Sequence, residues 1–214
     1  MTIVALNRQV RLFPMARPQE FDRTEVLKSA LDIFQRQGYG ATTVPDLVKA
    51  TRLQPGSLYA AFKNKKGILN EALQMYADGG ISYLNKLFDD SDSAIEGIRN
   101  FVIQSGRSCE GELGCHGCLL MNTLLEMASH DEEIEESIGR QVARMEKRIT
   151  KQLQLAQDQG ELAGDSDTVS LAKYLQTSVW GLRVLGKTGA KPSDIRSVVD
   201  HILAHLDHCC LTTH

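Results

Sequence analysis

From residue 22 onward, apolar side chains return three and four positions apart in block after block, and strand-like alternation is scarce. The first block opens at Asp22, an N-cap residue with Glu25 in capping-box position. It carries the stripe Val26, Leu27, Ala30, Leu31 and Phe34, and stops at Gly38. A second, short block follows Thr43, with Asp46 three residues on, Pro45 in the first turn, and Val44, Leu47 and Val48 on one side. Leu53 fills a corner, and Gln54, Pro55, Gly56 and Ser57 open a third block. There Leu58 and Phe62, four apart, face inward and leave Ser57, Tyr59 and Ala60 on the other side. Two short helices meeting at a tight corner, with a small hydrogen-bonding face turned out, have the layout of a helix-turn-helix that enters a groove of DNA.

The remaining pattern predicts a helical body. Lys65, Lys66 and Gly67 start a helix with the stripe Ile68, Leu69, Ala72, Leu73 and Tyr76, running towards Phe88, with Gly79–Gly80 as a weak point. Helices are expected over 94–109, over 118–128 (so apolar that full burial is expected), over 131–159, from Asp167 to about residue 185, and from a Ser193 cap to about residue 208. The sum is an all-α fold of about nine helices: a three-helix DNA-binding domain at 21–66, a larger ligand-binding and dimerisation domain at 67–214, and a flexible basic arm at 1–20 that carries Arg8, Arg11 and Arg17.

Composition changes this picture in one respect. The net charge of −3 argues against a nucleic-acid binder until it is divided along the chain. Residues 1–76 hold 11 Lys and Arg against 6 Asp and Glu, or +5, and residues 77–214 hold 13 against 21, or −8. A basic front on an acidic body suits a protein that places only its N-terminal part on phosphates. No stretch reaches the ~20 apolar residues of a membrane span. No signal peptide is read at the N-terminus, and five cysteines, two of them vicinal, make a poor disulfide framework. A cytoplasmic location is expected.

The chain resembles the tetracycline-repressor-like (TetR) family of bacterial transcription regulators. The resemblance is strongest over 15–76 and is carried by the run Ala30 to Phe34, then Gly38 and Tyr39, then Ala41 to Val44, and finally Leu58 to Lys65. Residues 15–22 look like the usual beginning of such proteins, which makes Met15 the expected start and 1–14 an extension. Over the body only the helix count and Gly117-Cys118-Leu119 match.

The resemblance implies a palindromic double-stranded DNA operator bound by a homodimer, repression as the usual mode, and release by a small-molecule inducer, with no membrane partner. Thr42 and Thr43 would hold phosphates, Pro55, Gly56, Ser57 and Tyr59 would lie at the groove, and Lys63 and Lys65 would sit by the backbone, although the lysines also suit a solvated face and Tyr59 a core position. The last two helices would form the dimer interface through Leu175, Val179, Leu182, Val199, Ile202 and Leu206. Tyr83, Phe101, Met121, Leu125 and Met145 would line the inducer cavity, unless they are plain core.

Cys109, Cys115, His116 and Cys118 fall within ten residues. This spacing fits a metal site, a redox or electrophile sensor, or simple packing, and packing is the reading adopted. His201, His205, His208, Cys209, Cys210 and His214 could meet a metal but suit a solvated helix end. No metal or other cofactor is expected. With no Gly-rich phosphate loop, nucleophile elbow or His-Glu zinc motif, an enzyme is not expected. A helical protein-interaction module that keeps the reader unused is the other class considered.

Overall fold

The computed structural model describes residues 21–110, 116–127 and 130–210. Nine helices are present among them: α1 (Arg23–Gln37), α2 (Val44–Thr51), α3 (Pro55–Phe62), α4 (Lys65–Asp89), α5 (Ala94–Arg107), α6 (Leu119–Met127), α7 (Glu132–Asp158), α8 (Thr168–Lys187) and α9 (Pro192–Cys209). Their boundaries follow local chemistry. Asp22 accepts the N–H groups of Thr24 and Glu25, and Thr43 and Asp46 close a reciprocal capping box. Asn64, Ser93, Asp131 and Asp167 cap α4, α5, α7 and α8 with their side chains. The basic arm expected at 1–20 and Cys115 lie outside the described residues.

Two apolar clusters hold the helices together. One joins α1–α4 to the body: Phe34, Leu47, Leu58, Phe62 and Ile68 pack with Leu119 of α6 and with Ile134 and Ile138 of α7. The other lies deeper in the body, where Leu84, Ile98, Ile149, Leu153, Leu175 and Leu182 meet. Each fully buried side chain of this kind contributes about 1.5–3 kcal/mol relative to exposure. The reader is therefore fixed to the body by core packing.

Three expectations change. Gly79 and Gly80 do not interrupt α4. A Cβ at Gly80 would stand 3.3 Å from Met145 Cε, so the missing side chain serves the approach of α7. Helix α9 starts from Lys191 with Pro192 in its first turn, so Ser193 is not its cap. Helix α6 is buried on one side only, through Leu119, Leu120 and Thr123, and Leu125 is 83% exposed. The single backbone bridge between Leu162 and Cys210 makes no strand.

Candidate nucleic-acid interface and ligand cavity

Helix α3 plugs into the core through Leu58 and Phe62 and turns Pro55, Gly56, Tyr59 and Ala60 outward, with Ser57 half-buried. Tyr59 is 45% exposed, so it is a surface residue. A Cβ at Gly56 would meet nothing within 4 Å, and the bare backbone there lets another molecule come close. Behind α3, Gly67 is required by packing. A Cβ there would fall 1.9 Å from the Phe62 carbonyl oxygen, and its N–H donates to Asn64 Oδ1 at 2.8 Å.

Two non-glycine residues among those described have positive φ, Arg52 at 59° and Lys63 at 67°. Both are exposed cations, and they bracket α3 at its two ends. A positive φ at a non-glycine residue costs about 1–3 kcal/mol. The sequence does not mark Arg52, because an αL corner has no signature at a residue other than Gly or Asn, and Lys49, also exposed, has the pattern of any solvated lysine in the last turn of a helix.

The expected phosphate contacts need correction. Thr42 is fully buried, and its hydroxyl donates to the Gly38 carbonyl at 2.6 Å, so it ties the α1–α2 turn together and is not free to meet DNA. Thr43 is exposed, but its hydroxyl donates to Asp46 Oδ2 at 2.5 Å and accepts the Asp46 N–H at 3.3 Å, so both functions go to the cap. Lys65 Nζ sits 4.2 Å above the centre of the Tyr39 ring. Burial pulls its pKa below the usual lysine range, and Glu126 pulls it back up. Lys66 faces the body and pairs with Asp131 at 2.8 Å and Glu133 at 2.6 Å.

A cavity of about 600 Å³ opens between α1, α4, α5, α7 and α8, with the start of α6 at one end. Tyr83, Phe101 and Met145 line it, as expected. Met121 and Leu125 do not. Met121 packs on the cluster that holds the reader, and Leu125 lies on the outer side of α6. Leu120 and Cys118 line the wall from that segment. The short helix points one residue in three or four at the cavity, and from α6 that residue is Leu120, one position before Met121.

All six residues assigned to a dimer interface are buried within the single chain. Leu175, Leu182 and Leu206 are fully buried, and Val179, Val199 and Ile202 nearly so. Helix α8 packs against α5, α7 and α9, so its most apolar stripe is spent internally. What stays exposed is a different stripe: Tyr174, Thr177, Gly181 and Val184 on α8 with Thr188 at its C-cap, and Val198, His201, His205 and His208 on α9. Tyr174 and His205 stack edge to face across the two helices at 4.7 Å.

Cys109 and Cys118 belong to different apolar clusters. Cys109 Sγ donates to the Ser105 carbonyl at 3.1 Å, and burial pushes its thiol pKa up, away from thiolate chemistry. Cys118 meets the Tyr76 hydroxyl at 3.9 Å. Among the described residues, no group of three or more His, Cys, Asp or Glu is placed to hold a metal, and no helix is long and apolar enough to cross a membrane.

Known proteins place this architecture. The family model for bacterial regulatory proteins of the tetR family matches residues 26–72, and the model for a tetracyclin repressor-like C-terminal domain matches residues 94–202. The uncharacterized HTH-type transcriptional regulator YezE of Bacillus subtilis is 29% identical over 90% of this chain and all of its own length. The HTH-type transcriptional repressor ComR of Escherichia coli is 27% identical over 81% of this chain and 83% of its own. Among solved structures, a cysteine mutant of the TetR family regulator CifR, complexed with 26-base-pair double-strand operator DNA, superposes with a TM-score of 0.79 at 28% identity, covering 88% of this chain and 98% of that one. With a family model over more than half its length, the chain belongs to the tetR family of bacterial regulatory proteins, as a helix-turn-helix transcription regulator and not an enzyme.

Proposed function

We propose that this protein is a cytoplasmic repressor that grips a palindromic operator as a homodimer and releases it when a small molecule fills the cavity. The observation that carries the reading is the exposed face of α3, with Gly56 and Tyr59 at its centre and Arg52 and Lys63 at its ends. Strained backbone is retained where a cation stands beside a bare, hydrogen-bonding helix face, the chemistry of phosphate contacts around a base-reading element. Lys49 extends this basic rim, and Lys65 stands behind it. The repressor name of ComR and the operator in the CifR complex support the same reading.

The exposed stripes on α8 and α9 support the dimer. Positions 174, 177, 181, 184 and 188 repeat with the three-four spacing of a helix seam, as do 198, 201, 205 and 208. A two-fold axis through this face sets two readers about one DNA turn apart, ~34–36 Å. A ligand shifts the equilibrium only by binding more tightly to a state whose readers no longer match that spacing.

The test is a titration of the protein on fragments of its home genome and on random duplex, at several salt concentrations. The expected result is a palindromic fragment bound at least ~10³-fold more tightly than random DNA. Tyr59→Ala should erase most of that preference, and Lys63→Ala should weaken both and reduce the salt slope by about one unit. Equal binding of all duplexes by the parent protein would end the reading.

A further inference from the structure

Two polar groups of the cavity wall, the buried Gln176 Oε1 and the Arg183 guanidinium, have no partner among the described residues. Gln176 is 5% exposed. Its Nε2 donates to the Val142 carbonyl at 3.3 Å, which sets the orientation of the amide, and its Oε1 has no hydrogen-bond partner. Flipping the amide would set two carbonyl oxygens against each other and orphan the NH₂ instead. No group among the described residues donates to this buried acceptor, so a bound molecule can supply the donor.

Arg183 lies seven residues further along α8, two turns on and about 10 Å along the axis, on the same side of the helix. Among the described residues it forms no ion pair, and its charge reaches Tyr76 and Cys109, opposing the burial that raises the pKa of each. Among the described residues, no Asp or Glu lines the cavity.

Several other polar groups of the wall are engaged within the protein. Gln141 donates to Gln74 at 2.6 Å and accepts from Arg144 at 2.6 Å, Ser108 donates to the Ser105 carbonyl at 2.7 Å, and Lys28 pairs with Glu25 at 2.7 Å. Between Gln176 and Arg183 the wall is apolar and aromatic, from Trp180 and Val179 on α8 with Phe101, Tyr83 and Met145 facing the same space.

We propose that the ligand is an elongated aromatic carboxylate with a hydrogen-bond donor at its far end, its carboxylate on Arg183, its donor on Gln176 Oε1 and its ring against Trp180. This rests on the reading of the cavity as the inducer site. A guanidinium that meets no carboxylate among the described residues favours an anion and repels the cationic aromatics that Trp and Tyr rings would otherwise attract. A hydroxyl or amide N–H at the opposite end satisfies the buried oxygen of Gln176.

The experiment is isothermal titration calorimetry of the full chain with four probes: 3-(4-hydroxyphenyl)propanoate, its methyl ester, 3-phenylpropanoate and tyramine. Quenching of Trp180, the single tryptophan, locates the binding. The hydroxy acid should bind about tenfold more tightly than either the ester or the acid lacking the hydroxyl, and tyramine should not bind measurably. Arg183→Met should abolish the preference for acid over ester, and Gln176→Met the preference for the hydroxyl. The wild-type comparisons stand even if a variant fails to fold.

Tyramine or the ester binding as tightly as the acid, or no binding of the acid at millimolar concentration, would overturn the proposal. So would an acid preference that survives in folded Arg183→Met. Operator titration of the unliganded protein is a separate readout. If operator binding is intact and the acid does not bind, only the ligand class falls. If operator binding is absent, the regulator reading falls whatever the calorimeter reports.

Discussion

The carboxylate of Glu126 accepts the backbone N–H of Tyr39 at 2.9 Å, and its other oxygen accepts that of Gly40 at 2.5 Å. Glu126 stands near the end of α6, and Tyr39 and Gly40 form the turn between α1 and α2. The start of the same helix reaches the cavity through Cys118 and Leu120. One short rod thus has the cavity at one end and the reader's backbone at the other. Gly40 is small for this reason, since a Cβ there would stand 2.7 Å from Glu126 Oε1.

Glu126→Ala should therefore cost about 1 kcal/mol of stability, as expected for exposed, charge-assisted hydrogen bonds. It should weaken operator binding while leaving affinity at the cavity unchanged, because the reader loses its tether but keeps its core. Urea unfolding together with operator titration checks both. An unchanged operator affinity would show that core packing alone holds the reader's orientation.

Gly67→Ala should be among the most damaging single substitutions in the reader. The added Cβ meets the Phe62 carbonyl at 1.9 Å, a backbone atom that cannot swing away. A loss of at least about 2 kcal/mol is expected from such overpacking, with loss of DNA binding. A urea midpoint close to that of the parent would contradict the geometry of the α3–α4 corner.

The dimer reading predicts a clean separation of assembly from folding. Val184 is 58% exposed, and a side chain at Gly181 would enter open space. Gly181→Arg combined with Val184→Asp should give a folded monomer in sedimentation, with helicity retained and operator affinity lost. A variant that still sediments as a dimer would move the interface off this face.

Acid should loosen the junction between reader and body once Asp131 takes up a proton. Lys66 beside Asp131 holds that carboxyl below the usual Asp range, helped by the Ile134 N–H it caps. A lowered carboxyl contributes stability that is fully present above its unfolded value of about 3.9 and is lost as pH falls through the folded value. Lys66, raised by the same partners, contributes below about 10.5 and loses that contribution as pH climbs through its folded value. The pair thus acts between roughly pH 4 and 10.5. Asp131→Asn should lower stability across that window and flatten the acid limb of the stability curve, as read by unfolding from pH 2 to 8. An acid limb of unchanged slope would assign acid sensitivity to other carboxyls.

Much of this molecule was legible along the chain. The nine helices, the capping box at Thr43 and Asp46, the plug residues Leu58 and Phe62 and the outward Tyr59 all follow from local periodicity and capping, which depend on neighbours three and four positions away. Which side of a helix goes to which neighbour did not follow. Leu175, Leu182 and Ile202 are as apolar as any interface stripe, but α8 and α9 spend them inside the monomer. The face left exposed carries residues such as Thr177 and Gly181, whose composition attracts no notice.

The same distinction holds at the sites. The sequence by itself determined a helix-turn-helix on a basic front, because local hydrogen bonding and the order of charges suffice to specify it. Only the tertiary structure turned Thr42 inward, set Arg52 and Lys63 at the two ends of α3, joined Glu126 to Tyr39 across 87 residues, and left Gln176 with an unanswered oxygen. Those outcomes depend on which distant surfaces compete for one volume, and close packing of the whole chain settles that competition.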